Sequence, residues 1–509
     1  MRSTHALKSQ AGGTRITLCV SLIAMAVLVW ALAGLFRSKD GGPSPTPVVV
    51  YCAAGIKPPV EAAARAYEKE FGIPVQLQYG GSGTLLSNIR VAKTGDLFIA
   101  ADTSYVTLAR EYGLIDEVLP LAHHRPVLAV PKGNPKGIRT LEDLWRLNLR
   151  VELANPETAA IGRSVRALLQ KTGQWPQLEK QITVFKPTVN DAANDVKLGT
   201  VDAGIVWDAT AAQYPELEIV RVPELEVAME TVSVAVLKFT RQPTAALRFA
   251  RYLAARDRGL TEFTTRHFEA VEGDAWADAP ELLLFSGAML RPGIEQTLKE
   301  FEQREGCRIT TVYNGCGILV AQMRTGQRPD AYFSCDTTFM NQVADLYVAP
   351  VDIVENRIVL LVPKGNPKQI RTPQDLLKPG MRVGLPHREK SAMGNVIWKL
   401  LDAAGVYGSL GDNLKLESPT GDFLVNQLRT GSLDVVMACQ SNYVASREHL
   451  EAIPVEAPLS RMTQPYAVGR STSRRFLAER LEAALTSDTS RQRMEQSGFV
   501  WRHGGMQRP

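Results

Sequence analysis

Metal-binding and redox residues are scarce in this 509-residue chain. It has seven histidines and six cysteines, and no two cysteines are spaced Cys-x-x-Cys. A structural zinc site draws on such pairs, so no metal cation site is expected. One sign of charge barely exceeds the other, with 58 Lys and Arg against 53 Asp and Glu, a net +5. No dense basic run of the kind that tracks a phosphate backbone is present, so nucleic acid is not an expected partner. Catalytic signatures are missing too. "GGSG" at Gly80–Gly83 is followed by Thr84, where a nucleophile elbow needs glycine, and no Gly-Lys-Ser/Thr follows as in a P-loop. His123-His124 reads as a pair of solvated loop histidines, and Asp102 and Asp336 read as helix caps after strands. No acid/base pair stands out, so an enzyme is not expected, and no cofactor is implied.

What is present begins with a single long uncharged stretch, the 21 residues Ile16–Phe36, preceded by Arg2, Lys8 and Arg15. It is long enough to cross a bilayer, and Ala31-Leu32-Ala33 offers a signal-peptidase site. Residues 1–36 are therefore a signal peptide or a signal anchor, residues 37–46 are a Pro/Gly linker, and the remainder is exported, to the periplasm or to the outer face of the inner membrane. A lipoprotein is excluded, because Cys19 lies early in the stretch after Leu18. Cys52, Cys307, Cys316, Cys335 and Cys439 lie beyond it. That odd number leaves at least one thiol without an internal partner, and a Cys307–Cys316 bridge is one arrangement left open.

The dominant feature is a duplication. "VPKGNPKGIRTLEDL" (Val130–Leu144) returns as "VPKGNPKQIRTPQDL" (Val362–Leu376), 232 residues later. In the same order "VVVYCAAG" matches "LLLFSGAM", "YGGSGTL" matches "YNGCGIL", and "GDLFIAAD" matches "PDAYFSCD". Two copies of one domain are expected, 47–279 and 280–503, joined by "EGDAWADAP". A repeat of this length is too long for a solenoid. Within each copy, short apolar runs such as Val48–Tyr51, Val75–Tyr79 and Leu97–Ala100 alternate with segments of helical spacing. That predicts α/β architecture with a largely parallel sheet.

Small residues recur where strands give way to helices. They are Cys52-Ala53-Ala54-Gly55, Gly80-Gly81-Ser82-Gly83-Thr84, Asn155–Ala160 and Pro187–Asn190. Each alone reads as an ordinary turn or cap. Together, beyond the carboxyl ends of the strands, they bring several helix N-termini to one cleft, which favours an anion without a full positive charge nearby.

The residues from "VVVYCAAGIKPPVEAAARAYEKEFG" through "YGGSGTL", "GDLFIAAD", "REYGLID", "VLAVPKGNP", "NPETAAIGRSVRALLQKTGQW" and "DAGIVW" carry a resemblance. Each copy is similar to a periplasmic molybdate-binding protein of the ABC-transporter type. The resemblance implies two α/β lobes joined by a two-strand hinge. In copy 1 these are 48–126 with 232–279, and 127–231; in copy 2 they are 282–357 with 466–503, and 358–465. It also implies a tetrahedral oxyanion, molybdate or tungstate, as ligand and an ABC-transporter permease as partner. A membrane contact would run through the N-terminal segment if that segment stays uncleaved. Carried over, the ligand positions in copy 1 fall on Ala54, Gly55, Gly81, Ser82, Thr84, Ile161, Val189 and Trp207. In copy 2 they fall on Met289, Cys316, Met393, Gly421 and Cys439, with Ser286, close by in sequence, as a further candidate. Gly55 stands where the family has Ser, and Trp207 where it has Tyr. The second copy keeps none of the three side-chain donors. Sulfate or phosphate as ligand, or a membrane-tethered sensor with an altered second cleft, remain as alternatives.

Overall fold

The computed structural model describes residues 45–444 and 446–504. The apolar stretch Ile16–Phe36 lies outside the described residues. Among those described, no helix is long and apolar enough to cross a membrane.

Copy 1 holds strands β1 (Val48–Ala53), β2 (Val75–Gly80), β3 (Leu97–Ala100), β4 (Ile115–His124), β5 (Pro126–Pro131), β6 (Val151–Ala154), β7 (Ile182–Lys186), β8 (Ala203–Trp207), β9 (Leu217–Val220), β10 (Glu230–Leu237) and β11 (Glu269–Ala270). They form two sheets. One has the order β11-β4-β10-β3-β1-β2 and the other β7-β6-β8-β5-β9. Copy 2 holds β12 (Glu281–Gly287), β13 (Arg308–Asn314), β14 (Ala331–Phe333), β15 (Val351–Pro363), β16 (Val383–Pro386), β17 (Leu414–Ser418), β18 (Val435–Cys439), β19 (Leu450–Pro454), β20 (Arg461–Val468) and β21 (Val500–Trp501). Its main path runs β13-β12-β14-β20-β15-β18-β16-β17. Apolar runs account for the central strands. All but one residue of β1 is buried, and it pairs in parallel with β2 and β3. Helix Lys57–Phe71 starts on Pro58 and Pro59, buries Val60, Ala63, Ala64 and Tyr67, and ends at left-handed Gly72.

The lobes are linked differently in the two copies. In copy 2 the thirteen-residue β15 serves both, pairing with β20 through Val351–Arg357 and with β18 and β19 from Ile358 on. In copy 1 the same path breaks at Arg125, between β4 and β5. Pro126 has no N–H to offer, and Arg125 is instead tied to Asp208 by N–H donation in both directions, at 3.0 and 2.9 Å. Two lobe boundaries differ from the sequence expectation. Residues 230–231 and 461–465, expected in the second lobes, belong to β10 and β20 and pair with β4 and with the first-lobe half of β15.

Candidate functional site

In copy 1 the lobes are closed on each other. Gly83 N–H donates to Thr158 O at 2.8 Å, and the Tyr105 hydroxyl donates to Glu157 O at 3.3 Å. This closeness depends on glycine. A Cβ at Gly81 would collide with Thr158 O and lie 3.0 Å from Pro187 O. Between the lobes is a cavity with about 260 Å³ of empty space, lined by Ala53, Ala54, Gly55, Gly80, Gly81, Ser82, Ala101, Ala159, Ala160, Ile161, Thr188, Val189 and Trp207. No lining residue carries a charge.

Three helices begin at its wall: Ser82–Ala92, Ala160–Lys171 and Val189–Leu198. Their first-turn N–H groups have no partner within the helix and form its positive end. The turn Ala54–Ile56 adds a fourth backbone edge. The Ser82 hydroxyl, 1% exposed, accepts from Ala101 N–H at 3.3 Å, so its own proton can donate into the cavity.

Of the eight copy 1 positions expected from the sequence, seven line this cavity. Thr84 does not; it is exposed, because the helix begun at Ser82 turns it away from the cleft. Two residues the sequence reading missed support the site. Thr210 is fully buried, its Oγ1 has no hydrogen-bond partner among the described residues, and that atom lies 3.4 Å from where a Cβ on Gly55 would be. His124 is not a solvated loop residue but the buried end of β4. Its Nε2 lies 2.7 Å from Ala101 O, and its ring stacks on Trp207 at 3.9 Å and 12°. The contact to a carbonyl assigns the proton to Nε2 and leaves Nδ1 buried without a partner among the described residues. Burial pulls the His124 pKa down to about 4, although the Ala101 carbonyl opposes this. His123 bonds Thr231 Oγ1 at 3.1 Å. Asp102 is the cap its position implies, accepting from Tyr105 N–H at 3.0 Å, and burial pushes its pKa up to about 6. Asp336 repeats both features in copy 2, with Phe339 N–H as donor.

The second cleft keeps the frame and changes its walls. Cys316 stands in place of Ser82 and accepts from Cys335 N–H at 3.1 Å, as Ser82 does from Ala101. Met289 fills the place of Gly55, and Met393 that of Ile161; both are buried. A Cβ on Gly421 would lie 3.0 Å from Met393 Cε and 2.6 Å from Asn442 Oδ1. Asn442, in the place of Thr210, is occupied by Cys439 N–H and by Asp422. Ser286 occupies the strand position of Cys52 and donates to Gly287 O at 3.3 Å. The Cys307–Cys316 bridge is not formed. All five described cysteines are free, and Cys316 faces Cys335. The signal for Thr210 and Cys335 lay in comparing the copies position by position, beyond the glycine-rich loops.

A family model for bacterial extracellular solute-binding proteins matches residues 48–258 and 282–500. The molybdate-binding protein ModA of Mycobacterium tuberculosis is 27% identical over 236 residues, 44% of this chain and 88% of its own. Among solved structures, the periplasmic molybdate-binding protein of Azotobacter vinelandii is similar at 14% identity and a TM-score of 0.40, over 44% of this chain and all of its own. The sulfate-binding protein SubI of Mycobacterium tuberculosis is similar at 18% identity and a TM-score of 0.39, over 43% of this chain and 86% of its own. With the family model matched twice in succession across most of its length, the chain belongs to the bacterial extracellular solute-binding proteins, and is a binding protein of ABC transport rather than an enzyme.

Proposed function

We propose that the first cleft captures a tetrahedral oxyanion, molybdate or tungstate before others, for import by an ABC transporter. On this reading the N-terminal apolar stretch exports the chain or tethers it to the outer face of the inner membrane. The observation that carries the ligand class is the uncharged cavity walled by three helix N-termini and the Ser82 hydroxyl. Such a site offers a dianion only N–H and O–H donors, the arrangement that suits anion binding without a counter-charge. Thr210 Oγ1, beside Gly55 and without a partner among the described residues, supplies a hydroxyl where the glycine has none.

Calorimetry of the protein against molybdate, tungstate, sulfate and phosphate tests this. Heat is expected with the first two. Heat with sulfate or phosphate alone transfers the site to that anion, and no heat with any of the four removes the oxyanion reading. Ser82→Ala should weaken binding about tenfold or more, since a hydrogen bond to a charged group contributes about 1.5–3 kcal/mol. Unchanged affinity would take Ser82 out of the site.

A further inference from the structure

Five of the positions that differ between the two clefts gain sulfur in the second. Ser82, Ala101, Trp207, Gly55 and Ile161 of copy 1 correspond to Cys316, Cys335, Cys439, Met289 and Met393 of copy 2. All five are buried. Two of the thiols meet. Cys335 N–H donates to Cys316 Sγ at 3.1 Å, and a Cβ on Gly287 would collide with Cys335 Sγ and lie 3.2 Å from Cys316 Sγ. Both sulfurs thus sit over the same glycine at the end of β12, in the space where the first cleft keeps the Ser82 hydroxyl.

We propose that the second cleft binds a soft monovalent d10 cation, Cu(I) or its analogue Ag(I), between the sulfurs of Cys316 and Cys335, with the thioethers of Met289 and Met393 in its wall. Thiolate and thioether ligands select such ions over hard cations and oxyanions. Binding replaces two S–H bonds by two S–metal bonds and releases two protons. The resulting complex carries one negative charge, and it lies at the first turn of helix Cys316–Arg324, where the helix dipole favours it. The site stands apart from the oxyanion reading of the first cleft.

The test is titration of the full-length reduced protein with Ag(I), and with Cu(I) held by a competing chelator, without air. One equivalent should bind, with a thiolate-to-metal charge-transfer band and release of about two protons. The variant Cys316→Ser/Cys335→Ala restores what stands in the first cleft, so it should fold, as its melting curve by circular dichroism will check. It should lose affinity by roughly 100-fold or more, whereas Cys52→Ser and Cys307→Ser should not. No uptake, uptake unchanged in the double variant, or a Cys316–Cys335 disulfide in the exported protein overturns the proposal.

Discussion

Two buried titratable groups meet at Ala101, the residue whose N–H holds Ser82. Asp102 follows it in the chain, and His124 donates to its carbonyl. Their effects on stability oppose each other. Burial lowers His124 from 6.5 to about 4, so its contribution is complete above pH 6.5 and is lost as pH falls towards 4. Burial raises Asp102 from 3.8 to about 6, so its contribution is complete below pH 3.8 and is lost as pH rises through 6. Each amounts to at most about 3 kcal/mol, and between pH 4 and 6 they cancel. His124→Gln should therefore lose stability relative to wild type as pH rises from 4 to 6, and Asp102→Asn should gain it. Urea midpoints at several pH values read this directly, and parallel profiles for all three proteins would refute it. The sequence read these residues unevenly. Asp102 was legible as a cap because a carboxylate between a strand and a helix has one common role. His124 was not, because the residues that bury it, Trp207 and Phe268, come from distant segments. Gly81 and Ser82 were legible from a loop repeated twice, while Thr84, two residues further on, is turned outward by the helix that Ser82 begins.

At the level of elements, the two copies are joined by more than their linker. Asp274, within it, accepts from Phe476 and Leu477 N–H at 3.0 Å each, at the start of helix Arg475–Leu485 of copy 2. Glu305, at the end of helix Arg291–Glu305, receives Arg480 of its own copy at 2.6 and 3.1 Å and Arg251 of copy 1 at 3.3 Å. Burial works to raise the Glu305 pKa, yet the two guanidinium groups hold it below the usual glutamate range. Glu305→Ala would leave two buried arginines uncompensated, and removing one member of such a cluster costs about 3–5 kcal/mol. Its chemical-denaturation midpoint should fall accordingly, and by more than that of Glu281→Ala, whose pair with Arg308 is exposed. Equal small losses would show that the triad contributes no more than a surface pair. Strand and helix order was readable from apolar runs and helical spacing. This interface was not, because Arg251, Glu305 and Arg480 stand on helix faces that the one-dimensional pattern marks as polar and therefore as solvated.

Across the whole molecule, the elements that carry these contacts between copies lie in the sequence segments assigned to the first lobes, so each second lobe is left to close on its own cleft. Closure in both copies brings a glycine against backbone carbonyls. A Cβ at Gly81 would collide with Thr158 O, and one at Gly315 would lie 2.5 Å from Lys390 O and 2.8 Å from Pro419 O. Neither clash exists with the lobes apart, so an alanine there acts on the closed form and spares the fold of each lobe. A ligand gains from closure only the difference in its contacts between the open and closed forms. Raising the closed form by 1.4 kcal/mol therefore weakens apparent affinity about tenfold. Gly81→Ala should weaken molybdate binding about tenfold or more at an unchanged denaturation midpoint. Gly315→Ala should leave molybdate binding as it is, because the second cleft has no hydroxyl at the Ser82 position. Calorimetry on the two variants separates the clefts within one intact chain. If Gly315→Ala weakens molybdate as much as Gly81→Ala does, the clefts are coupled through the buried interface and the division of labour between them is wrong.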